Sequence, residues 1–292
     1  MDTYVTIFVF DEEDKALYSI DKAFERMKEI DTKFNHLNSN SPIYNFNMNN
    51  IPITDPEIIS LVKKALYISS ETDGAFDITI APLIELWGFY AKQPRLPTPA
   101  EIELCLKDVG YQNLELSNQT LMKKNPETKI DLGGIAKGYS IAESLKVLKS
   151  LGIANALIDA GGDVYALGKK DNKFWKIGIK DPFSEGLIGY IEIKNNAVMG
   201  SGDYERFFEE KGKKYHHIFN PKTGYPTEGV TGITLIYPEA AEADAWATAL
   251  FVMPPEQAIE KAKSIKNLEC LIVLTSGKKL YTSKINRLIK SP

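Results

Sequence analysis

Residues 130–139 of this 292-residue chain read Ile-Asp-Leu-Gly-Gly-Ile-Ala-Lys-Gly-Tyr. The apolar start and the glycine pair predict a strand that runs directly into a helix extending through Leu151. Glycines at such a junction let backbone groups approach a ligand closely, and a helix N-terminus favours an anion. Lys137 adds a positive charge at this junction. The spacing differs from a Walker loop and from a dinucleotide fingerprint, so a tight turn with a solvated lysine is the alternative interpretation.

The helices and strands predicted on both sides of this junction are grouped and do not alternate strictly. Helices are predicted over residues 16–34, 56–72, 240–251 and 255–265, with a short helix after the capping-box pair Thr98 and Glu101. Strands are predicted over residues 3–10, 156–159, 164–167, 176–179, 189–193, 215–219, 231–236 and 268–274, the last of which closes the pattern. This grouping is typical of an α+β fold with mostly antiparallel sheet and flanking helices. Because we find no repeat, linker or change of composition, we predict one domain over residues 1–292.

Two stretches are predicted to be irregular. Residues 35–50 contain seven asparagines and are interpreted as a polar loop. Residues 116–128 are rich in turn-forming types and are predicted to be a turn region.

Composition limits the function classes. The chain is 43% hydrophobic and 25% charged, with a formal net charge of −4, so nothing in its charge favours nucleic acid or anionic lipid as a partner. No apolar run approaches the roughly 18 residues that a membrane span needs. Two cysteines, Cys105 and Cys270, cannot form a disulfide framework or a four-thiolate metal site, and we expect both to be buried structural thiols.

Two further glycine motifs stand next to acidic residues. Residues 159–163 read Asp-Ala-Gly-Gly-Asp at the end of a predicted strand, and residues 200–206 read Gly-Ser-Gly-Asp-Tyr-Glu-Arg. A double glycine between carboxylates favours a simple hairpin turn, with a ligand-facing loop as the alternative. The second motif is ambiguous by itself.

Two of the three histidines, His216 and His217, end a predicted strand just before the turn sequence Asn-Pro-Lys-Thr-Gly-Tyr-Pro at 220–226. Histidine is well suited to accept a proton near neutral pH. Successive strand residues point to opposite faces, so at most one of the pair can face a given cleft. His36 lies in the asparagine-rich stretch and is interpreted as incidental. A purely structural histidine is the alternative for each.

Asp244 and Thr248 lie four residues apart on a predicted helix and therefore share one face. A carboxylate and a hydroxyl so placed can bind one hard cation such as Mg²⁺, which prefers oxygen ligands. The alternative is an acidic residue near a helix start and a threonine that bonds to its own i−4 carbonyl.

Taken together, these motifs resemble the ApbE family of FAD:protein FMN transferases, in family order and over nearly the whole chain. The most specific segments are Asp-Leu-Gly-Gly-Ile-Ala-Lys-Gly at 131–138 and the pattern His-x-x-x-Pro-x-Thr-Gly-x-Pro that begins at His217. The other matching segments are residues 1–3, 41–47, 72–79, 86–89, 159–163, 201–204 and 243–248.

The resemblance implies a single α+β domain that binds FAD beside Mg²⁺, transfers the FMN half to a threonine or serine hydroxyl and releases AMP. The implied metal ligands are the side chains of Asp244 and Thr248 and the backbone carbonyls of Gly134 and Ala247. The implied FAD contacts are Ala75, Phe76, Asp77, Asp131, Lys137 and Ile218. His217 would accept the proton of the attacking hydroxyl.

Two positions depart from the family pattern. Gly134 stands where alanine is common, a change that a carbonyl ligand survives, and Asn220 stands where aspartate is common, which weakens any carboxylate role there. Some relatives hydrolyse FAD to FMN and AMP, so a Mg²⁺-dependent FAD pyrophosphatase is the nearest rival. A flavin carrier without catalysis is the rival from another class.

The resemblance also implies a partner and a location. The family's acceptor is a subunit of a membrane-bound redox pump, and members usually work outside the cytoplasmic membrane, often as lipoproteins. The chain begins at the family's own Met-x-Thr, which suggests a removed leader and an extracytoplasmic, periplasmic or membrane-anchored protein. If Met1 is the native start, the expectation is cytoplasmic.

Overall fold

The computed structural model describes residues 3–90 and 94–291, so Met1 and Asp2 of the first family-like segment lie outside the described residues. The chain divides into two compact units. The first contains the residues up to Asp31, Ile135–Gly202 and those from Gly229 onward, and the second contains Thr32–Gly134 and Asp203–Glu228. The single domain predicted from the sequence stays a prediction.

Strands and helices are grouped along the chain. The strands are β1 (Val5–Val9), β2 (Leu114–Ser117), β3 (Thr120–Lys123), β4 (Ala156–Ala160), β5 (Asp163–Leu167), β6 (Trp175–Lys180), β7 (Leu187–Ile193), β8 (Asn196–Gly202), β9 (Phe207–Glu210), β10 (Lys213–His216), β11 (Val230–Tyr237), β12 (Glu269–Leu274) and β13 (Lys279–Tyr281). The helices are α1 (Glu13–Phe34), α2 (Pro42–Asn49), α3 (Pro56–Glu71), α4 (Ala81–Leu86), α5 (Pro99–Cys105), α6 (Gly133–Ser150), α7 (Ala240–Val252), α8 (Pro255–Ser264) and α9 (Ile285–Leu288).

A seven-stranded sheet organises the first unit. Its strand order is β1-β4-β5-β8-β11-β12-β13, and every neighbouring pair is antiparallel. The hairpin of β6 and β7 adds apolar side chains to one core, among them Trp175, Ile177 and Ile191. Helix α7 packs on β8 and β11, and its alanines allow a close approach because they carry only a methyl group. This confirms the predicted α+β class with mostly antiparallel sheet and flanking helices.

The second unit is mainly helical, with two short ribbons, β2–β3 and β9–β10. An aromatic cluster lies beside the second ribbon. Trp87 is fully buried, and its ring centroid lies 5.5 Å from those of both Tyr215 and Phe219. Its indole N–H donates to the carbonyl of Gly224 at 3.0 Å. The buried indole of Trp87 thus has its polar atom paired, as is usual for a buried tryptophan.

The predicted polar loop over residues 35–50 is wrong, because this stretch contains α2. Ser41 caps the helix by accepting a hydrogen bond from the N–H of Tyr44, with proline at the first turn. Ile43 and Phe46 are buried, and Asn50 ends the helix with a left-handed φ of 54°. The high asparagine content led to the wrong prediction, because the buried face of this short helix rests on two apolar residues only three positions apart.

The prediction for residues 116–128 is wrong in part, because β2 and β3 form a hairpin there. Asn118 and Gln119 have φ of 48° and 60°, as a two-residue turn between twisted strands requires. The strand predicted at Ile130 is also absent. Its backbone instead bonds on both sides to the side-chain amide of Asn47, with Nδ2 to carbonyl and N–H to Oδ1 distances of 2.8 Å each. An amide side chain thus replaces a strand partner.

Several other elements differ from the prediction. Strands β8 and β9 were not predicted; β8 contains two glycines, and β9 is only four residues long and contains two glutamates. Strand β10 covers Lys213–His216 and ends before the predicted 219, and β13 and α9 follow the strand predicted to close the pattern. Cys270 is buried as expected, but Cys105 is only half-buried, so that prediction is right for one thiol. None of the described helices has the length and hydropathy to span a bilayer.

Candidate active site

The segment before α6 joins two regions that are far apart in sequence. The N–H of Asp131 donates to the carbonyl of Ile78 at 2.7 Å, which places Asp131 beside the predicted flavin-contact segment that ends at Asp77. The Asp131 carboxylate accepts a hydrogen bond from the N–H of Gly133, at the first residue of α6. The Asp131 carboxylate therefore satisfies the N–H of the first helical residue. It also places a negative charge at the helix N-terminus, where an anion is favoured.

Asp77 is buried and holds its own segment in place. One carboxylate oxygen accepts from the N–H and the hydroxyl of Thr79 at 2.8 and 2.7 Å, and the other accepts from the N–H of Tyr111 at 2.7 Å. Burial raises the pKa of Asp77, and these hydrogen bonds act against that rise. Phe76 is buried and Ala75 is partly exposed. The carboxylate thus fixes the backbone of the predicted contact segment.

Two residues near Asp131 were missed by sequence reasoning. The hydroxyl of Tyr90 donates to the Asp131 carboxylate. The ring of His36 lies 4.3 Å from the ring of Tyr90, and its Nδ1 lies 3.8 Å from Asp131 Oδ2. The interpretation of His36 as incidental stays a prediction, although the fold places its ring beside Tyr90 and Asp131. Only the fold brings these residues to Asp131, since neither belongs to a recognisable motif.

In the first unit, Lys137 forms an ion pair with Asp163 at the start of β5. Asp163 is buried and also accepts a hydrogen bond from the N–H of Gly200 in β8 at 2.7 Å. Burial raises the pKa of Asp163, and the ammonium of Lys137 opposes that rise. The lysine side chain is 25% exposed, so the interpretation as a solvated lysine does not hold. Gly200, from the motif at residues 200–206, lies in β8, and its backbone N–H holds the acidic partner of this ion pair.

The double-glycine motif between Asp159 and Asp163 is a tight hairpin turn. Gly161 and Gly162 have φ of 66° and 93°, and the N–H of Gly162 donates to Asp159 Oδ1 at 2.8 Å. Positive φ at both central residues matches the turn that joins two twisted strands. The hairpin interpretation of this motif is therefore correct.

Asp244 is buried on α7, and its Oδ2 accepts a hydrogen bond from the N–H of Gly138 on α6 at 2.8 Å. A Cβ at Gly138 would lie 2.2 Å from the carbonyl oxygen of Ala240, so only glycine permits this approach. Thr248 is partly exposed on the same helix, four residues after Asp244, and Ala247 is fully buried. The predicted helix and its spacing are present.

The donor set on α7 consists of hard oxygen atoms, which fits Mg²⁺. Within residues 3–90 and 94–291, no three His, Cys, Asp or Glu side chains gather into a metal-binding group. A cation here would therefore rely on one carboxylate, a hydroxyl and carbonyls.

The two neighbouring histidines have different environments. His216 is buried, its Nε2 lies 2.7 Å from the carbonyl of Thr227, and its Nδ1 accepts from the N–H of Ile218 at 3.2 Å. A carbonyl only accepts, so Nε2 must carry the proton, and both ring nitrogens are engaged. Burial lowers the pKa of His216, which favours the neutral ring. His216 is a structural residue.

His217 is partly exposed and follows the last residue of β10. Its Nδ1 lies 3.2 Å from the carbonyl of Arg206, whose oxygen also accepts from the His217 N–H at 3.1 Å. Because that carbonyl can only accept, the neutral ring carries its proton on Nδ1 and presents a lone pair on Nε2. This is the tautomer that a general base needs, and a backbone carbonyl that no motif reveals determines it.

Hydrogen bonds close the turn after His217. Asn220 Oδ1 accepts from the N–H of Lys222 at 2.9 Å, and its own N–H donates to the carbonyl of Tyr225 at 2.9 Å. Gly224 has a φ of 73°, and a Cβ there would lie 2.5 Å from Ile102. The asparagine therefore forms the turn, and this role needs no carboxylate. Ile218 is buried, so a contact from it to FAD would use the backbone.

Comparison with known proteins points in one direction. The sequence profile of the ApbE family matches residues 1–272. The FAD:protein FMN transferase of Haemophilus influenzae is 32% identical over 266 residues, which cover 86% of this chain and 77% of that protein. The ApbE protein of Thermotoga maritima superposes with a TM-score of 0.93 at 38% identity over 99% of this chain and 96% of that one. The flavin transferase ApbE of Vibrio cholerae gives 0.87 at 27% identity, over 99% and 96%.

Proposed function

Because the chain belongs to the ApbE family and is an FAD:protein FMN transferase, we propose that it transfers FMN to a threonine or serine hydroxyl with release of AMP and with dependence on Mg²⁺. The observation that carries this proposal is the contact between His217 Nδ1 and the Arg206 carbonyl at 3.2 Å. The Arg206 carbonyl holds its Nδ1–H, so Nε2 is the proton acceptor. A threonine hydroxyl does not ionise at neutral pH without such a base.

The reaction is a substitution at the phosphorus atom on the FMN side of the pyrophosphate. The acceptor oxygen forms a new bond to that phosphorus while the bond to the bridging oxygen breaks. AMP leaves with the bridging oxygen, and the hydroxyl proton passes to His217 Nε2. A base in this role contributes roughly 10²–10⁴-fold to the rate.

The negative charge of the pyrophosphate requires neutralisation. The proposed ligands of Mg²⁺ are the side chains of Asp244 and Thr248 and the carbonyls of Gly134 and Ala247. The cation would supply Lewis-acid stabilisation of phosphate oxygens. The Gly138 N–H fixes Asp244 Oδ2 and so orients the carboxylate. Lys137 would contribute a positive charge to the phosphates, and its ion pair with Asp163 keeps the ammonium at a defined place.

The proposed contacts to FAD come from Ala75, Phe76, Asp77, Asp131 and Ile218. The short bond from Asp131 to Ile78 supports one shared surface for Asp131 and the segment ending at Asp77. Phe76 and Ile218 are buried, which supports contacts through their backbone. Tyr90 and His36 would stabilise the position of the Asp131 carboxylate.

The acceptor would be a subunit of a membrane redox complex that carries a threonine or serine flavinylation motif, and the reaction would take place outside the cytoplasmic membrane. The acceptor can be identified by flavin fluorescence on denatured proteins of cells that express the chain and cells that lack it. Fractionation of the native cells tests the location.

The transfer itself is tested by incubating the protein with FAD, Mg²⁺ and an acceptor peptide, with matched samples in EDTA. We expect AMP and peptide-bound flavin in equal amounts, and neither in EDTA. AMP with free FMN and an unlabelled peptide would assign the chain as an FAD pyrophosphatase. FAD binding without AMP under any condition would assign a carrier. Full activity in EDTA would contradict the role of Mg²⁺.

A further inference from the structure

The ribbon formed by β9 and β10 has an open edge. No other strand of the described chain joins this ribbon. The other short ribbons, β2–β3 and β6–β7, each receive a bridge from elsewhere in the chain, at Leu121 and at Tyr190. Within the described residues the outer edge of β9 receives no such bridge. An unpaired strand edge offers N–H and C=O groups to another chain.

The register of the ribbon identifies the backbone groups on that edge. Glu210 pairs with Lys213 across a two-residue turn, so these two residues exchange hydrogen bonds. Hydrogen-bonded and non-hydrogen-bonded pairs alternate along an antiparallel ribbon, so the next hydrogen-bonded residues of this strand are Phe208 and then Arg206. The Arg206 carbonyl indeed accepts from the His217 N–H at 3.1 Å. The intervening residues of β9, at positions 207 and 209, therefore direct their N–H and C=O groups to the outer edge.

The side chains along this edge leave it accessible. Phe207 is 46% exposed, and the ammonium of Lys214 lies 4.9 Å from its ring centre. Glu209 is exposed as well. The edge ends at Arg206, whose carbonyl fixes the tautomer of His217. The open edge is thus continuous with the proposed base.

We propose that the outer edge of β9 binds the acceptor protein as an added, extended strand, with the acceptor hydroxyl at the Arg206 end. The inference rests on the proposed transfer of FMN to a protein hydroxyl. Residues opposite each other in antiparallel strands share a face, so an added residue opposite Arg206 has its side chain on the face of Arg206 and His217. Recognition through main-chain hydrogen bonds also accommodates different acceptor sequences.

The test uses two substitutions at one position. Glu209→Pro removes an outward N–H and places a ring on the open edge, without removing a hydrogen bond to β10. Glu209→Ala keeps the N–H and removes the same side chain. The substrate is a synthetic peptide that contains the flavinylated threonine of a redox-pump subunit. We expect Glu209→Pro to raise the KM for the peptide about tenfold or more, and Glu209→Ala to change it less than about twofold.

FAD binding serves as the control and should stay within about twofold of the parent for both variants. An unchanged peptide KM in Glu209→Pro, or an equal rise in both variants, would overturn the inference. Failure of the parent to label any peptide refutes the proposed function instead, and amide exchange in the parent still reports on the edge.

Hydrogen exchange of the parent protein keeps the inference testable if the proline variant does not fold. The peptide should slow exchange of the amides of Phe207 and Glu209 and leave their neighbours facing β10 unchanged. Protection elsewhere and none at these two amides would contradict the proposal. Protection that appears without peptide and increases with protein concentration would instead assign the edge to a second copy of the chain.

Discussion

The two regions that carry the proposed chemistry differ in how firmly they are held. In the first unit, Asp163 and Asp244 are buried, and each accepts a backbone N–H from a neighbouring strand or helix. In the second unit, His217 stands at the end of a two-stranded ribbon and is partly exposed. Groups that stabilise phosphate charge act best when they are fixed in advance in a poorly solvated place. A base that meets a protein acceptor must remain reachable.

This comparison predicts that changes in the first region affect charge stabilisation and folding together, whereas changes at His217 affect the rate alone. The largest effect is expected for Asp244→Ala. AMP release should fall by about 10³-fold or more, since a bound cation stabilises the transition state by several kcal/mol. The variant also leaves the buried Gly138 N–H without its acceptor, which costs about 1–3 kcal/mol of unfolding free energy.

Asp244→Asn separates the two consequences. Its amide oxygen can still accept from Gly138, so the unfolding free energy measured in urea should recover while AMP release stays low. If Asp244→Asn retained full activity at limiting Mg²⁺, the carboxylate would have only a structural role.

The next effect concerns the buried histidine. His216→Ala leaves the carbonyl of Thr227 and the N–H of Ile218 unpaired and creates a cavity, so we expect a loss of about 2–4 kcal/mol in unfolding free energy. FMN transfer at a temperature where the variant is folded should stay within about threefold of the parent. Thermal melting and single-turnover transfer on the same samples check both parts.

The pH dependence of the unfolding free energy should also show that the His216 ring is buried and neutral. Burial lowers the pKa of His216, whereas the ring protonates near pH 6.5 in the unfolded chain. Below that value the unfolded state binds more protons, so stability falls as the pH decreases. His216→Gln should lose this component of acid destabilisation in urea titrations between about pH 5 and 8. An identical pH profile in parent and variant would contradict a buried neutral ring.

A smaller effect is expected at the ion pair. Asp163→Asn keeps an acceptor for Gly200 but removes the charge beside Lys137, so unfolding free energy should fall by about 1–3 kcal/mol, less than for a fully buried pair. Lys137→Met should leave the buried Asp163 carboxylate without its cation. The double variant should be more stable than the sum of the two single losses predicts. Strict additivity in this double-mutant cycle would show that the pair does not couple.

Sequence reasoning succeeded where the signal is local. The helix over Ala240–Val252 and the one through Ser150 follow from apolar spacing, and the i, i+4 pair on α7 needs nothing else. It failed where a side chain substitutes for backbone. Asn47 pairs with the backbone of Ile130 and hides an expected strand, because its role depends on a contact 83 residues away in sequence.

The candidate site shows the same division. Its motif residues can be read from the sequence, but the groups that orient them cannot. Tyr90 reaches Asp131 across 41 positions, and the acceptor that fixes His217 is a main-chain carbonyl, which every residue possesses. Asp163 was visible only as half of a hairpin turn, and its ion pair with Lys137 depends on the register of β5 in the sheet.

The central claim is that His217, and not its neighbour, accepts the proton of the acceptor hydroxyl. The most direct measurement is single-turnover FMN transfer to an acceptor peptide by His217→Ala and His216→Ala, with FAD affinity determined in parallel. We expect His217→Ala to slow transfer by roughly 10²-fold or more with FAD affinity within about tenfold, because a base acts mainly in the transition state. The opposite ranking of the two variants, or loss of FAD binding in His217→Ala, would contradict the assignment.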